Sequence, residues 1–184
     1  MTKGRLFVVV GPSGAGKDTV LEGALEICPH VHRLTRVVTR PTGAGGEDFE
    51  GVSSEVFAKM EDECAFAFTW HAHGLSYGIP IKLEMLLNDG KKVVFNGSRK
   101  ALHAVQAKYP KLKVLLVHAD RATLQKRLIA RGRETLTEIE GRLMRAETAL
   151  PDGLDIIRIS NSGALCEAVQ KMASTFMGQE ESVQ

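Results

Sequence analysis

What this sequence has little of narrows it first. It holds only three cysteines, Cys28, Cys64 and Cys166, odd in number and far apart, which argues against a disulfide frame and leaves no CxxC metal site. They are expected as buried free thiols in a reducing compartment. No apolar run approaches the roughly 18 residues that a membrane span requires. The apolar run Leu6 to Val10 ends at once in glycines rather than at a cleavage site, so no secretory signal is expected. Neither sign of charge dominates: 24 Lys and Arg against 22 Asp and Glu leave a formal net charge of +2, which gives no electrostatic reason to expect nucleic acid or a membrane as partner. Internal repeats and low-complexity linkers are absent. At 184 residues the chain is long enough for one well-buried α/β core and short for two. A single cytoplasmic domain, monomeric or homodimeric, is the expectation.

What is there begins with Leu6-Phe7-Val8-Val9-Val10-Gly11-Pro12-Ser13-Gly14-Ala15-Gly16-Lys17-Asp18-Thr19. An apolar strand runs into a glycine-spaced turn that opens a helical pattern. Glycines in GxxxxGK[ST] let backbone N–H groups turn inward around an anion, the helix presents its positive end, and the lysine reaches the outer phosphates. Gly11, Gly14, Gly16 and Lys17 satisfy that pattern. Asp18 stands where a hydroxyl usually meets Mg²⁺, and a carboxylate beside a triphosphate is tolerable when it binds that metal directly or through water.

Helical spacing of Val20, Leu21, Ala24, Leu25 and Ile27 predicts a helix that stops near Cys28-Pro29. A short strand over His32 to Thr39 carries Arg33 and Arg36, then Arg40 precedes a turn-rich loop through Gly46 that could move over a ligand. A helix is predicted from Ser53 and a strand over Ala65 to His71, where Phe66, Phe68 and Trp70 alternate with small residues to make one apolar face. His73 to Gly78 reads as a turn, and Ile81 to Leu87 as a helix. Beyond it strands 92–96, 113–118 and 155–160 alternate with helices 99–108, 122–130, 138–149 and 164–177, predicting a parallel sheet covered on both faces. Thr137-x-x-Glu140 reads as a capping box restarting the chain after a break at Gly132 to Leu136.

Phosphoryl transfer between two phosphates needs mainly positioning and charge neutralisation, which calls for arginines. Arg127, Arg131, Arg133, Arg142 and Arg145 surround the helix break, and Arg131-Gly132-Arg133 suits a lid closing on the transferring phosphate. The plainer alternative is a solvated helix face paired with Glu134, Glu138 and Glu140. His71 and His73 lack a third ligand for a metal and are better placed against a sugar or phosphate. Asn96-Gly97-Ser98-Arg99 ends a strand of a parallel sheet, where ligands collect, and Ser98 could also cap the next helix.

The phosphate loop, Thr39-Arg40-Pro41, Glu47-Asp48-Phe49-x-x-Val52-Ser53, Gly74-x-x-Tyr77-Gly78, Arg131-Gly132-Arg133 and Ile159-Ser160-Asn161 together resemble the guanylate-kinase superfamily over nearly the whole chain. Within it the sequence is most similar to the branch that phosphorylates ribose 1,5-bisphosphate in phosphonate breakdown. The resemblance implies a three-layer P-loop kinase fold with a central parallel sheet, an acceptor-binding insertion at about 33–80 and a helical lid at about 127–145. It also implies ATP and Mg²⁺ as cofactors and a small phosphorylated sugar as substrate. In roles, Gly11, Pro12, Ser13, Gly14, Ala15, Gly16, Lys17, Asp18 and Thr19 would cradle ATP, with Asp18 serving the metal. The Asn161 loop would border adenine. Lys17, Arg127, Arg131, Arg133 and Arg142 would stabilise the transferring group, and Arg36, Arg40, Glu47, Tyr77, Asn96, Ser98 and Arg99 would hold the acceptor.

Departures from true guanylate kinases bear on the acceptor. Phe68, Asn96 and Ser98 stand where those enzymes carry guanine-reading acids, Phe49 replaces a phosphate-binding Tyr, and the second Arg expected near Gly43 is missing. A purine N–H facing Phe68 would forfeit a charge-assisted hydrogen bond worth roughly 1.5–3 kcal/mol. Two alternatives stay open: a guanylate-type nucleoside monophosphate kinase, and a non-catalytic phosphopeptide-binding module, although such modules commonly have degraded phosphate loops. Asp18→Ala is expected to raise the Mg²⁺ concentration required for any nucleotide reaction, and an unchanged Mg²⁺ titration would remove the metal role.

Overall fold

The computed structural model describes residues 4–41, 48–72, 74–132, 134–146 and 150–178, apart from the side chain at 145. Its strands are β1 (Arg5–Val10), β2 (Val31–Leu34), β3 (Val37–Val38), β4 (Glu50–Gly51), β5 (Phe66–Ala72), β6 (Leu75–Pro80), β7 (Lys92–Asn96), β8 (Lys113–His118) and β9 (Asp155–Ser160). Its helices are α1 (Lys17–Ile27), α2 (Ser54–Asp62), α3 (Lys82–Asn88), α4 (Leu102–Lys108), α5 (Arg121–Arg131), α6 (Leu136–Ala146) and α7 (Leu165–Met177). The fold is mixed α/β around a parallel five-stranded sheet of order β2-β7-β1-β8-β9. Leu6 to Val10 of β1 are all buried, as an apolar run in a central strand requires.

The chain divides into two compact units, Met1–Val8 with His30–Lys113, and Val9–Pro29 with Val114–Gln184. In the first, β2 pairs with β7 in parallel, Val31 opposite Lys92 and Leu34 opposite Phe95. A second, four-stranded sheet has the order β4-β3-β6-β5. Here β3 runs parallel to β4 and antiparallel to β6, and β5 runs antiparallel to β6. Ile79, Leu83, Phe95 and Leu102 make its buried centre. Tyr109 donates to Glu84 at 2.7 Å, and Lys108 binds both Glu84 at 2.8 Å and the carbonyl of Ala67 at 2.6 Å, tying α3, α4 and β5 together. In the second unit α1 lies against α7 so closely that a Cβ on Gly23 would stand 2.8 Å from Val169 Cγ2. Leu128, Leu143, Ile159, Met172 and Phe176 are fully buried there, each worth about 1.5–3 kcal/mol of apolar burial.

Several local expectations are corrected. The strand expected over 32–39 is two strands in different sheets, because at Arg36 the backbone leaves β2 and accepts from Glu50 N at 2.9 Å. The turn expected over 73–78 is largely β6, whose Gly78 and Tyr77 pair with Val37 and Val38; His73 lies outside the described residues. An aromatic face at Phe66, Phe68 and Trp70 is interrupted by a shift in the β5–β6 ladder between Phe66 and Phe68, so only Trp70 of the three is fully in the core. The segment 99–108 opens with a 3₁₀ turn, Arg99–Ala101, before α4.

The cap of α6 is Thr135 with Glu138, not Thr137 with Glu140: Glu138 Oε2 accepts from Thr135 N at 2.7 Å, and Glu138 N donates to Thr135 Oγ1 at 3.3 Å. Glu140 instead pairs with Arg121. Of the three free cysteines only Cys28 is buried; Cys64 and Cys166 are exposed. Among the described residues no helix is long and apolar enough to cross a membrane.

Helix α5 begins at the cap Asp120, whose carboxylate accepts from Thr123 N at 2.8 Å and Thr123 Oγ1 at 2.9 Å. These bonds, the backbone one first, pull its pKa down from 3.8 to about 2. A depressed folded-state pKa contributes stability that is present above the unfolded value and lost as the pH falls through the folded one. Between pH 4 and 2 the protein should therefore lose stability more steeply than its Asp120→Asn variant, which keeps a capping oxygen but cannot be protonated there; urea midpoints over that range measure it.

Candidate active site

The loop after β1 is shaped by its glycines. Gly14 and Gly16 have φ of 87° and 81°, left-handed values that side chains rarely adopt. A Cβ on Gly11 would stand 2.1 Å from the carbonyl oxygen of Val117, and one on Gly16 would stand 2.5 Å from Asn161 Nδ2, so both positions are closed to any other residue. Lys17 folds its ammonium back over the loop to the carbonyl of Pro12 at 3.2 Å. Helix α1 starts at Lys17 with no side-chain cap, leaving the positive end of an 11-residue helix for an anion. Asp18 lies half-buried in that first turn and Thr19 is exposed. This cradle fits the phosphates of a nucleotide, and a carboxylate at its rim fits a hard divalent cation shared with phosphate oxygens.

Side chains just past β9 and on α5 hold the loop by its carbonyls, and one on α6 holds it by a serine hydroxyl. Asn161, just past β9, donates Nδ2 to the carbonyl of Ala15 at 2.7 Å, and its own backbone N–H reaches the carbonyl of His118 at 2.7 Å. Arg127 of α5 donates Nη1 to the carbonyls of Gly14 at 3.4 Å and Ala15 at 3.5 Å, and Nη2 to the carbonyl of Asn161 at 2.9 Å. Arg142 of α6 donates Nη1 to Ser13 Oγ at 2.9 Å and pairs through Nη2 with Glu134 Oε1 at 3.0 Å. Of the arginines expected here, Arg127 and Arg142 are brought to the loop, while Arg131 is exposed in the last turn of α5. Arg133 lies outside the described residues.

The residues expected to hold an acceptor lie in the other unit. Arg36 donates Nη1 to the carbonyl of Asn96 at 3.5 Å and lies 5.5 Å over the ring of Tyr77. Tyr77 stacks on Trp70 at 5.0 Å with an 8° interplanar angle. Phe68 packs near Trp70 at 5.8 Å, Phe95 at 5.5 Å and Tyr109 at 6.3 Å. Arg40 sits 4.1 Å over Phe49, a cation–π contact, and its buried Nε has no partner among the described residues. Thr39 Oγ1 accepts from Ser76 N at 2.8 Å and so fixes the approach to Arg40. Ser98 precedes the 3₁₀ turn without a side-chain cap bond, which leaves its hydroxyl out of the capping role. Arg99 is half-buried, and that burial pulls its pKa below the usual arginine value. His71 shares a 2.9 Å hydrogen bond with Ser76, and Arg33 pairs with Asp48 at 3.8 Å. Glu47 lies outside the described residues.

The model of the family described as Guanylate kinase matches residues 3–177. The chain belongs to the guanylate-kinase family. Among curated guanylate-kinase relatives it is similar to the ribose 1,5-bisphosphate phosphokinase PhnN of Rhizobium etli, 48% identical over 96% of this chain and 91% of that one. It is also similar to the PhnN protein of Pseudomonas fluorescens, 44% identical over 92% and 93%. Among solved structures it resembles the guanylate kinase of Anaplasma phagocytophilum with a TM-score of 0.71 and 17% identity, covering 99% of this chain and 89% of that one; this likeness concerns the fold. Membership in a kinase family brings nucleotide use with it, which agrees with the glycine cradle.

The resemblance implies that the Asn161 loop borders adenine; the structure adds that the Asn161 amide holds the phosphate-loop backbone, 146 residues away. Glu134 stands in the sequence as a counter-ion to the arginines. Its side chain is 14% exposed, and the signal available was its place directly after Arg131-Gly132-Arg133. Asn161→Ala would remove the shorter of two bonds to the carbonyl of Ala15 and leave the one from Arg127 at 3.5 Å, at a cost of about 1 kcal/mol. The expected outcome is a lowered melting temperature together with weaker Mg-ATP binding by calorimetry, and wild-type values for both would remove Asn161 from the loop's support.

Proposed function

We propose that this chain transfers the γ-phosphoryl group of ATP to the 1-phosphate of ribose 1,5-bisphosphate, releasing ADP and 5-phosphoribosyl 1-diphosphate, in the cytoplasm and within phosphonate breakdown. The observation that carries this reading is an intact, glycine-shaped phosphate loop in a chain 48% identical, over nearly its whole length, to a ribose 1,5-bisphosphate phosphokinase.

The acceptor oxygen is already anionic, so no residue need remove its proton; the protein's work is alignment and cancellation of charge. The loop from Gly11 to Thr19 receives the ATP phosphates on backbone N–H groups, with Lys17 exchanging the carbonyl of Pro12 for a phosphate oxygen. Mg²⁺ would be held by Asp18 together with phosphate oxygens and water, and when bound it offsets the negative charge between donor and acceptor. Arg127 fixes the loop, and Arg142, with Arg131 and Arg133 of the lid segment, meets charge developing on the transferred group. Arg36, Arg40, Tyr77, Asn96, Ser98, Arg99 and Glu47 hold the sugar bisphosphate. Arg36 supports this: it is a cation already set over Tyr77 and against the end of β7.

Phe68 disfavours a purine acceptor. Its ring is packed among Trp70, Phe95 and Tyr109 and offers no acceptor to guanine N–H groups. Two forfeited charge-assisted bonds at roughly 1.5–3 kcal/mol each correspond to discrimination on the order of 100-fold or more. A coupled assay of ADP release should give kcat/KM for ribose 1,5-bisphosphate above that for GMP by at least about that factor. Comparable or better turnover of GMP would sink the assignment, and failure to bind Mg-ATP at all would sink the kinase reading.

A further inference from the structure

We infer that Glu134 is a positioning residue that acts through Arg142, holding that guanidinium on the phosphate loop so that it meets the outermost phosphate of the nucleotide. The inference rests on the nucleotide half of the proposed function and not on the identity of the acceptor.

An arginine on a helix has a long side chain with many rotamers, and α6 alone does not fix where its guanidinium goes. Two bonds do so here. Nη1 donates to Ser13 Oγ at 2.9 Å, and Nη2 pairs with Glu134 Oε1 at 3.0 Å. They engage two of the five N–H donors of a guanidinium, leaving the others for a ligand. The Arg142 side chain is 39% exposed and that of Glu134 is 14% exposed. The pair is thus one-sided: the glutamate side chain is the more deeply buried and the arginine the more exposed.

Glu134 spends only one oxygen on this task. Its Oε2 is buried and without a hydrogen-bond partner among the described residues. A buried carboxylate oxygen left bare is costly, so the residue is a poor choice for stability, and a surface counter-ion would not be built this way. The neighbouring acids show the contrast. Glu138 spends its carboxylate on the cap of α6, and Glu140 on exposed Arg121. Ser13 is neutral and accepts from Arg142 only through a hydroxyl, so a phosphate oxygen can displace it, since a charge-assisted bond to an anion is the stronger one. The charged tether to Glu134 remains through that exchange. Glu134 therefore sets the hinge point of the arginine, and Ser13 marks the place a phosphate takes.

The test uses the full-length protein and two readouts. Calorimetry gives the ratio of affinities for Mg-ATP and Mg-ADP, and steady-state assay gives kcat and KM. Glu134→Ala is expected to narrow the ATP-over-ADP preference about fivefold and to lower kcat about tenfold, with KM for Mg-ATP changed far less than kcat. Glu134→Gln, which keeps an acceptor oxygen at the same reach, should recover part of both. On an Arg142→Ala background Glu134→Ala should add nothing further, because the tether then has nothing to hold. The inference is overturned if the ATP-over-ADP ratio of both Glu134 variants stays within about twofold of wild type, or if the loss persists undiminished on the Arg142→Ala background. Should Glu134→Ala fail to fold, the Gln variant decides by the same affinity ratio. Because that ratio needs no acceptor, it separates failure of this inference from failure of the ribose 1,5-bisphosphate assignment.

Discussion

The structure depends on how the phosphate loop spends its hydrogen bonds. A loop that is to receive an anion needs N–H groups left for it, so it is best held from outside through its carbonyls. Asn161 and Arg127 do this from outside, donating to Ala15 and Gly14. The loop's own glycines make room for them: Gly16 has no Cβ, and Asn161 Nδ2 occupies the space one would take. Glycine, amide and guanidinium are therefore one arrangement, and none of the three is interchangeable without the others.

Holding by carbonyls explains which parts were legible in the sequence. The loop itself is a local pattern, and so is the apolar strand before it and the helix after it; both fall where spacing puts them. What holds the loop is not local. Asn161 is 146 residues from Ala15, and no periodicity links the two. The same divide runs through the fold. Helices α2, α5 and α7 were readable from caps and apolar spacing, whereas β6 was not, because Gly74, Gly78 and Pro80 look like a turn until β3 and β5 are set on either side of it. The capping box of α6 was misplaced for a related reason: Thr135 and Thr137 are each followed by an acid three residues on, and only the three-dimensional course of the chain selects between them.

In the unit that holds β5 to β7, aromatic and cationic side chains stand together. Phe68 and Trp70 on β5, Tyr77 on β6 and Phe95 on β7 give a layered apolar surface, and Arg36 and Arg40 lie over two rings of this unit, Tyr77 and Phe49. A guanidinium resting on a ring stays charged while losing much of its freedom to wander. That would suit the proposed doubly phosphorylated acceptor better than a flat base, which calls for directional acceptors along its edge.

Trp70 is the single tryptophan of the chain, and it is buried face to face with Tyr77, the ring over which Arg36 lies. Indole emission from this protein thus arises at one place, inside the smaller sheet. The molecule carries an intrinsic optical gauge of that stack, sensitive to a shift of either ring, with no label attached.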